Sequence, residues 1–203
     1  MSRSKFLLFL FLISCLGLVL RVYQYDHVPP FAETLDENHY AFGGLTWIKT
    51  GVPKSWSWFE SYKHADIIHK RIEWRLKYPL IEKPPLYFLL SGAAILLTGS
   101  NDVYETDLAI IRLLPLLLSF ITILLTGIIG ERIFNSNVGL VAALIYATTP
   151  TIVLANRLSL TENLLTPLAL LSLLLVLSDL KQSHFSRLTY GVGLISILAF
   201  LTK

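Results

Sequence analysis

The chain is predicted to be an all-α integral membrane protein, a bundle of about five spans with one long loop carrying interfacial helices. Three observations predict this. Of its 203 residues, 54% are hydrophobic and only 15% charged, at a mean hydropathy of +0.60. An ordinary soluble domain carries more charge. Five apolar runs, Phe6 to Leu20, Leu108 to Gly130, Val138 to Ala155, Leu164 to Ser178 and Arg187 to Leu201, have the character of membrane spans. The polar, aromatic stretch Tyr23 to Asp107 separates the first two runs and holds all four tryptophans, as expected of a segment at headgroup depth. The chain therefore divides into a first transmembrane helix (1–22), an extracytoplasmic loop (23–107) and four further transmembrane helices (108–203). A formal net charge of +3 gives no footprint for nucleic acid. The lone Cys15 excludes an internal disulfide framework.

The first run reads as an uncleaved anchor, because no A-x-A-like cleavage site follows it. Arg3 and Lys5 ahead of it put the N-terminus in the cytoplasm of a multi-pass protein of the cell's inner (plasma) membrane. Residues 35–50 read as an amphipathic interfacial helix, with Ala41, Gly44, Leu45 and Ile48 at helical spacing and a stop at Thr50-Gly51-Val52-Pro53. Thr34 to Glu37 fits the S/T-x-x-E capping box. Pro85 to Thr98, started by Pro84-Pro85, reaches only about 21 Å at ~1.5 Å per residue, too short for a span. It is expected to lie in the interface or to re-enter the membrane. Cytoplasmic segments then carry Arg3, Lys5, Arg132, Lys181 and Arg187, and the short outer loop only Arg157, a positive-inside bias. Arg112 is expected to snorkel at the outer end of its span. His64 and His69 read as loop residues. Because the chain stops at Lys203 directly after an apolar run, it reads as the N-terminal part of a longer protein.

This topology gathers Asp36, Glu37, Lys83, Arg157, Glu162 and Lys203 at the extracytoplasmic face. Ionisable groups at a membrane are costly unless something pairs or uses them. Acids and cations on one face suit a reaction on a lipid-linked phosphate. Asp36 is the candidate general base toward an acceptor, and Lys83, Arg157 and Lys203 are the candidates for stabilising a departing phosphate. Each also has a plainer reading. Asp36 and Glu37 serve a helix's first turn, Lys83 snorkels, Arg157 and Glu162 pair or cap the next helix, and Lys203 anchors. A divalent metal is left open, with Glu82 and His39 as its candidate ligands.

The ordered set Asp36-Glu37-x-x-Tyr40-Ala41, Glu82-Lys83-Pro84-Pro85-Leu86, Arg112-x-x-Pro115, Arg157-x-x-x-x-Glu162 and Leu201-Thr202-Lys203 resembles the N-terminal half of the GT-C glycosyltransferases. Within that class it is most similar to the branch of protein O-mannosyltransferases and lipid A aminoarabinose transferases. The resemblance implies a GT-C transmembrane bundle that transfers a sugar, with inversion, from a polyprenyl phosphate to an extracytoplasmic acceptor. It implies Asp36 as the catalytic acid-base residue, Glu37 as its support, and Lys83 with Lys203 at the donor phosphate. Glu162 takes the place of the second acidic motif, where the family often has Asp. The acceptor is unspecified: protein, lipid or cell-envelope glycan. A non-catalytic membrane protein that binds polyprenyl-phosphate lipid is the alternative. A transporter would need acids or broken helices near the bilayer midplane.

Overall fold

The computed structural model describes residues 1–56, 63–69, 71–102, 106–179 and 187–203. Trp58 and Lys181 lie outside these. The first helix, α1 (Arg3–Val22), is capped by Ser2, whose Oγ accepts from the Lys5 backbone N–H. Its buried residues Phe6, Leu10, Ser14, Gly17 and Arg21 recur every three or four positions and so form one stripe. Phe6 and Leu10 pack with Ile123, Ala143 and Ala147. The other faces expose Leu7, Leu8, Phe11, Leu12 and Val19, a pattern that suits lipid rather than water.

After a connection containing the cis peptide Val28–Pro29 comes α2 (Asp36–Thr50), ended by Gly51 in the left-handed conformation, with its N–H on the Trp47 carbonyl. Nine consecutive residues, Glu37 to Leu45, are buried. The expected amphipathic surface helix is thus an enclosed one, with Ile48 on its exposed end. The capping box does not form. Thr34 Oγ1 accepts from the Asp36 N–H at 3.2 Å, while the Glu37 carboxylate is drawn into a tertiary ion pair.

The cover on α2 is a sheet, which corrects the all-α expectation. Strands β1 (Ser55–Trp56), β2 (Lys63–His69) and β3 (Ile72–Tyr78) form an antiparallel sheet in the order β1-β3-β2. The β2–β3 pairing runs from Lys63↔Tyr78 to His69↔Ile72, and Arg71 takes a positive φ in the tight turn. The reason is local. Ile72-Glu-Trp-Arg-Leu-Lys-Tyr78 alternates apolar and polar residues with the period of a strand, which puts Trp74 and Leu76 against Ala41, Phe42 and Leu45. Trp74 is 2% exposed and meets Phe42 edge-on at 5.5 Å. This tryptophan is therefore a core residue and not part of an interfacial belt. His64 and His69 lie in β2.

Helix α3 (Pro85–Leu97) begins with Pro at its first position, where a missing N–H costs nothing. It crosses α2 backbone to backbone: a Cβ on Gly44 would sit 1.8 Å from the Phe88 carbonyl oxygen, and one on Gly92 would sit 2.4 Å from the Gly44 carbonyl carbon.

Two of the predicted spans are each broken into two helices. Arg112 ends α4 (Leu108–Ile111) and precedes α5 (Leu113–Ile133). Pro150 separates α6 (Ser136–Thr148) from α7 (Pro150–Ala155), because the residue before a proline is pushed out of the helical region; Thr149 has ψ 118°. Then α8 (Glu162–Asp179), with Pro167 inside it, packs against α5 and α9 (Arg187–Phe200). Among the described residues two helical stretches are long and apolar enough to cross a membrane, Arg3–Val22 and Leu108–Ile133. Pro85–Leu97, Ser136–Thr148, Glu162–Ser178 and Leu188–Phe200 are apolar but shorter.

Gly44→Ala is expected to lower stability by about 3 kcal/mol or more, the upper end of the overpacking range. Gly51→Ala, at φ +73° with open space around it, is expected to cost about 1 kcal/mol. Melting of the two variants in detergent checks this, and equal shifts would refute the close crossing of α2 and α3.

Candidate active site

One end of the bundle collects the starts of α2, α3, α5 and α8 with the end of α9. Consecutive helical residues point about 100° apart, so the adjacent acids Asp36 and Glu37 face different surroundings. Glu37 faces inward. Its carboxylate takes Arg112 Nε on Oε1 and Nη2 on Oε2, both at 2.8 Å, and the Ser159 N–H at 2.9 Å. Arg112 Nη1 donates to the carbonyls of Tyr25 (2.6 Å) and Pro29 (2.8 Å). Both side chains of the pair are essentially without exposure. The expected snorkelling of Arg112 is therefore corrected: its tertiary acceptors hold it inside.

Asp36 faces outward. Its Oδ1 meets Lys83 Nζ at 3.3 Å, and both side chains are partly exposed. Lys83 Nζ also lies 3.5 Å from the Tyr40 hydroxyl and 5.1 Å from the centre of the Tyr40 ring. Tyr40 is one turn beyond Asp36 on the same face, and its ring stands edge-on to Tyr87 and Phe88. The Tyr87 hydroxyl shares a hydrogen bond with Ser159 Oγ at 3.1 Å.

A second acid–lysine pair stands beside the first. Lys203 Nζ bonds Glu162 Oε1, and Glu162 Oε2 accepts from Thr161 Oγ1. Glu162, with Tyr40 and Asp36 adding to it, holds the Lys203 amine above its usual pKa. The two pairs are brought together by the Leu86 N–H, which donates to the Leu201 carbonyl at 2.9 Å and joins the start of α3 to the end of α9.

Arg157 is not engaged with Glu162. It is 6% exposed, and its two terminal nitrogens donate to the carbonyls of Val28 (3.0 Å) and Leu20 (2.8 Å). This uses its donors to brace the end of α1, not the Lys83–Lys203 surface. His39 is equally enclosed. Nδ1 faces Ser55 Oγ at 2.9 Å and the Trp56 carbonyl at 3.1 Å, and the ring packs edge-on against Tyr40, Trp56 and Phe88. Burial pulls its pKa down to about 3, so the ring is neutral at physiological pH. Glu82, the other candidate metal ligand, is half-buried just before Lys83. Among the described residues no three His, Cys, Asp or Glu side chains converge.

Sequence reasoning found both acid–lysine pairs as separate motifs but gave no role to Tyr40, Tyr87 or Ser159. For Tyr40 a signal exists: it lies four residues after Asp36 on the same side of α2. Ser159 carries none, because it acts through its backbone N–H and a loop-borne hydroxyl.

A membrane-embedded helical fold that presents paired acids and lysines at one end has the character of a membrane glycosyltransferase. Residues 82–203 match the family described as dolichyl-phosphate-mannose-protein mannosyltransferase, and the chain belongs to that family. The matched stretch takes in Lys83, Arg112, Arg157, Glu162 and Lys203, while Asp36, Glu37 and His39 precede it. No curated protein and no solved structure matches the chain.

Removing one member of a buried ion pair strands the other. Glu37→Ala is expected to destabilise the protein by about 3–5 kcal/mol, and Glu37→Ala combined with Arg112→Met to recover part of that loss, both read as melting temperature. A single variant that melts like the unsubstituted protein would contradict the structural weight of this pair.

Proposed function

We propose that the chain carries the donor-side catalytic centre of a glycosyltransferase that moves a sugar from a polyprenyl phosphate to an acceptor at the extracytoplasmic face, with inversion at the anomeric carbon. The observation that carries this is the joining of the Asp36–Lys83 and Glu162–Lys203 pairs by the Leu86–Leu201 backbone bond. Asp36 is the base. The acceptor's hydroxyl or amine attacks the anomeric carbon as the bond from that carbon to the phosphate oxygen breaks. Asp36 takes the acceptor's proton and the phosphate leaves with the bonding electrons. Lys83 and Lys203 offset the charge that develops on it.

Both lysines are engaged with acids. Partly exposed pairs of this kind are worth only about 0–1 kcal/mol, so a phosphate displaces the carboxylates at little cost. Displacement from Lys83 also frees an Asp36 oxygen to act as base. Glu37 is a positioning residue in this scheme. Buried and fixed by Arg112 and the Ser159 N–H, it holds the first turn of α2, and hence Asp36, in place. Lys83 and Lys203 serve the phosphate better than Arg157, which is 6% exposed and whose two terminal nitrogens already donate to carbonyls. The cytoplasmic side then lies at the opposite end, with Arg3 and Arg132.

Asp36→Asn keeps the shape of the side chain and loses its basicity. Transfer in membranes supplied with the lipid-linked donor is expected to fall roughly 10²–10⁴-fold, the range of general-base catalysis, with the amount of inserted protein unchanged. Undiminished transfer would remove Asp36 as the base and leave a lipid-binding protein. For Lys83→Ala, donor binding is expected to weaken by about tenfold or more, as a charge-assisted hydrogen bond is lost. Acceptor binding should hold, and an effect confined to the acceptor would place Lys83 elsewhere in the reaction.

A further inference from the structure

At the end of the bundle remote from the acids, a cavity of about 570 Å³ is lined by Met1, Arg3, Glu131, Arg132 and Ser178. It joins three helices: Arg3 opens α1, Arg132 closes α5, and Ser178 lies in the last turn of α8. Arg132 Nη1 donates to Ser178 Oγ, which ties α5 to α8 across the cavity floor. Glu131 Oε1 accepts from the Ser136 hydroxyl at 3.3 Å, and its one negative charge stands against the two guanidinium charges of Arg3 and Arg132. Both arginines are exposed.

The depth of this cavity follows from the two helices long enough to span. The helices α1 and α5 are neighbours, with Phe6 and Leu10 on Ile123 and Phe11 edge-on to Phe120 at 6.3 Å. Arg3 is the first residue of one span, and Arg132 is next to last in the other. The cavity therefore sits where both apolar stretches stop, at the level of lipid headgroups. On the face of α1 that carries Arg3, Leu7 and Phe11 follow at intervals of four and are 48% and 53% exposed. Cations at the headgroup level thus stand above an unbroken apolar track, the two-part chemistry of a phospholipid.

We propose that this cavity seats an anionic glycerophospholipid, with its phosphate between Arg3 and Arg132 and one acyl chain along Leu7 and Phe11. A free phosphate or nucleotide would use the cations and leave the apolar track without purpose, so the membrane lipid is the occupant. The site is separate from the glycosyl-transfer centre and owes nothing to its chemistry. Because the lipid bridges the start of α1 and the end of α5, it stabilises the fold from the opposite side of the membrane.

The test is thermal melting of the full chain in detergent with added phosphatidylglycerol, phosphatidylcholine or inorganic phosphate. Two basic residues at a membrane surface give a preference for anionic lipid on the order of tenfold to thirtyfold. Phosphatidylglycerol is therefore expected to raise the melting temperature at about a tenth or less of the phosphatidylcholine concentration that has the same effect, and phosphate alone to do nothing. In R3Q/R132Q the two lipids should become equivalent, whereas R3K/R132K should keep the preference. Equal responses of the unsubstituted chain to both lipids, or a preference that survives in R3Q/R132Q, would overturn the proposal. So would stabilisation by inorganic phosphate alone. Should R3Q/R132Q fail to fold, native mass spectrometry of the unsubstituted chain decides: retained phosphatidylglycerol in excess of phosphatidylcholine supports the site, and equal retention refutes it.

Discussion

The first turn of α2, and with it Asp36, is fixed by one buried ion pair. Glu37 and Arg112 meet through two parallel hydrogen bonds, the geometry in which a guanidinium and a carboxylate satisfy each other best. The remaining capacity of both groups is filled by the Ser159 N–H and the carbonyls of Tyr25 and Pro29. A buried pair is tolerable only when satisfied to this degree. Four separate parts of the chain are tied to one point: the connection after α1, the first turn of α2, the break before α5, and the loop before α8. The pair adds little net stability over an apolar replacement, but it fixes the relative positions of elements far apart in sequence.

Around it the loop region works as a rigid mount. Two sides of α2 are covered, by α3 and by the sheet, so its buried run from Glu37 to Leu45 includes polar side chains that a surface helix would expose. His39 exemplifies the consequence. Locked by Ser55 and three aromatic rings, and held neutral by burial, it anchors strand β1 to the helix. Tyr40, one residue on and also buried, extends this packing to Lys83, which its ring and hydroxyl meet. Asp36 is thus a partly exposed carboxylate at the start of a largely buried helix, the setting that the proposed base requires.

The helices were largely legible in the sequence. Apolar runs and proline or glycine stops place α2, α3, α8 and α9 within about two residues, because hydropathy and capping are local properties. The sheet was written in the alternation of Ile72 to Tyr78 but was hidden by reading the whole region as interfacial. Two breaks have local signals too. Pro150 announces its own, and Pro115, which cannot donate to the Ile111 carbonyl four residues earlier, marks the one at Arg112. Glu37 shows the competition directly: a capping box and a tertiary ion pair ask for the same side chain, and the buried partner wins. At the site, Asp36, Lys83, Glu162 and Lys203 stood out as charges beside apolar runs. Their pairing did not, since it rests on the docking of α3 against α9. Arg157 is equivalent to the lysines in the sequence and differs from them only through its burial and its tertiary carbonyl acceptors.

The hydrogen bond from Leu86 to Leu201 sets an order of construction. Asp36 and Lys83 both precede α4 in the chain, so their pair is made earlier in synthesis than the Glu162–Lys203 pair. Glu162 and Lys203 join them only when the last described helix has been inserted and its end has reached α3. The two pairs therefore meet through contact between the start of α3 and the end of α9.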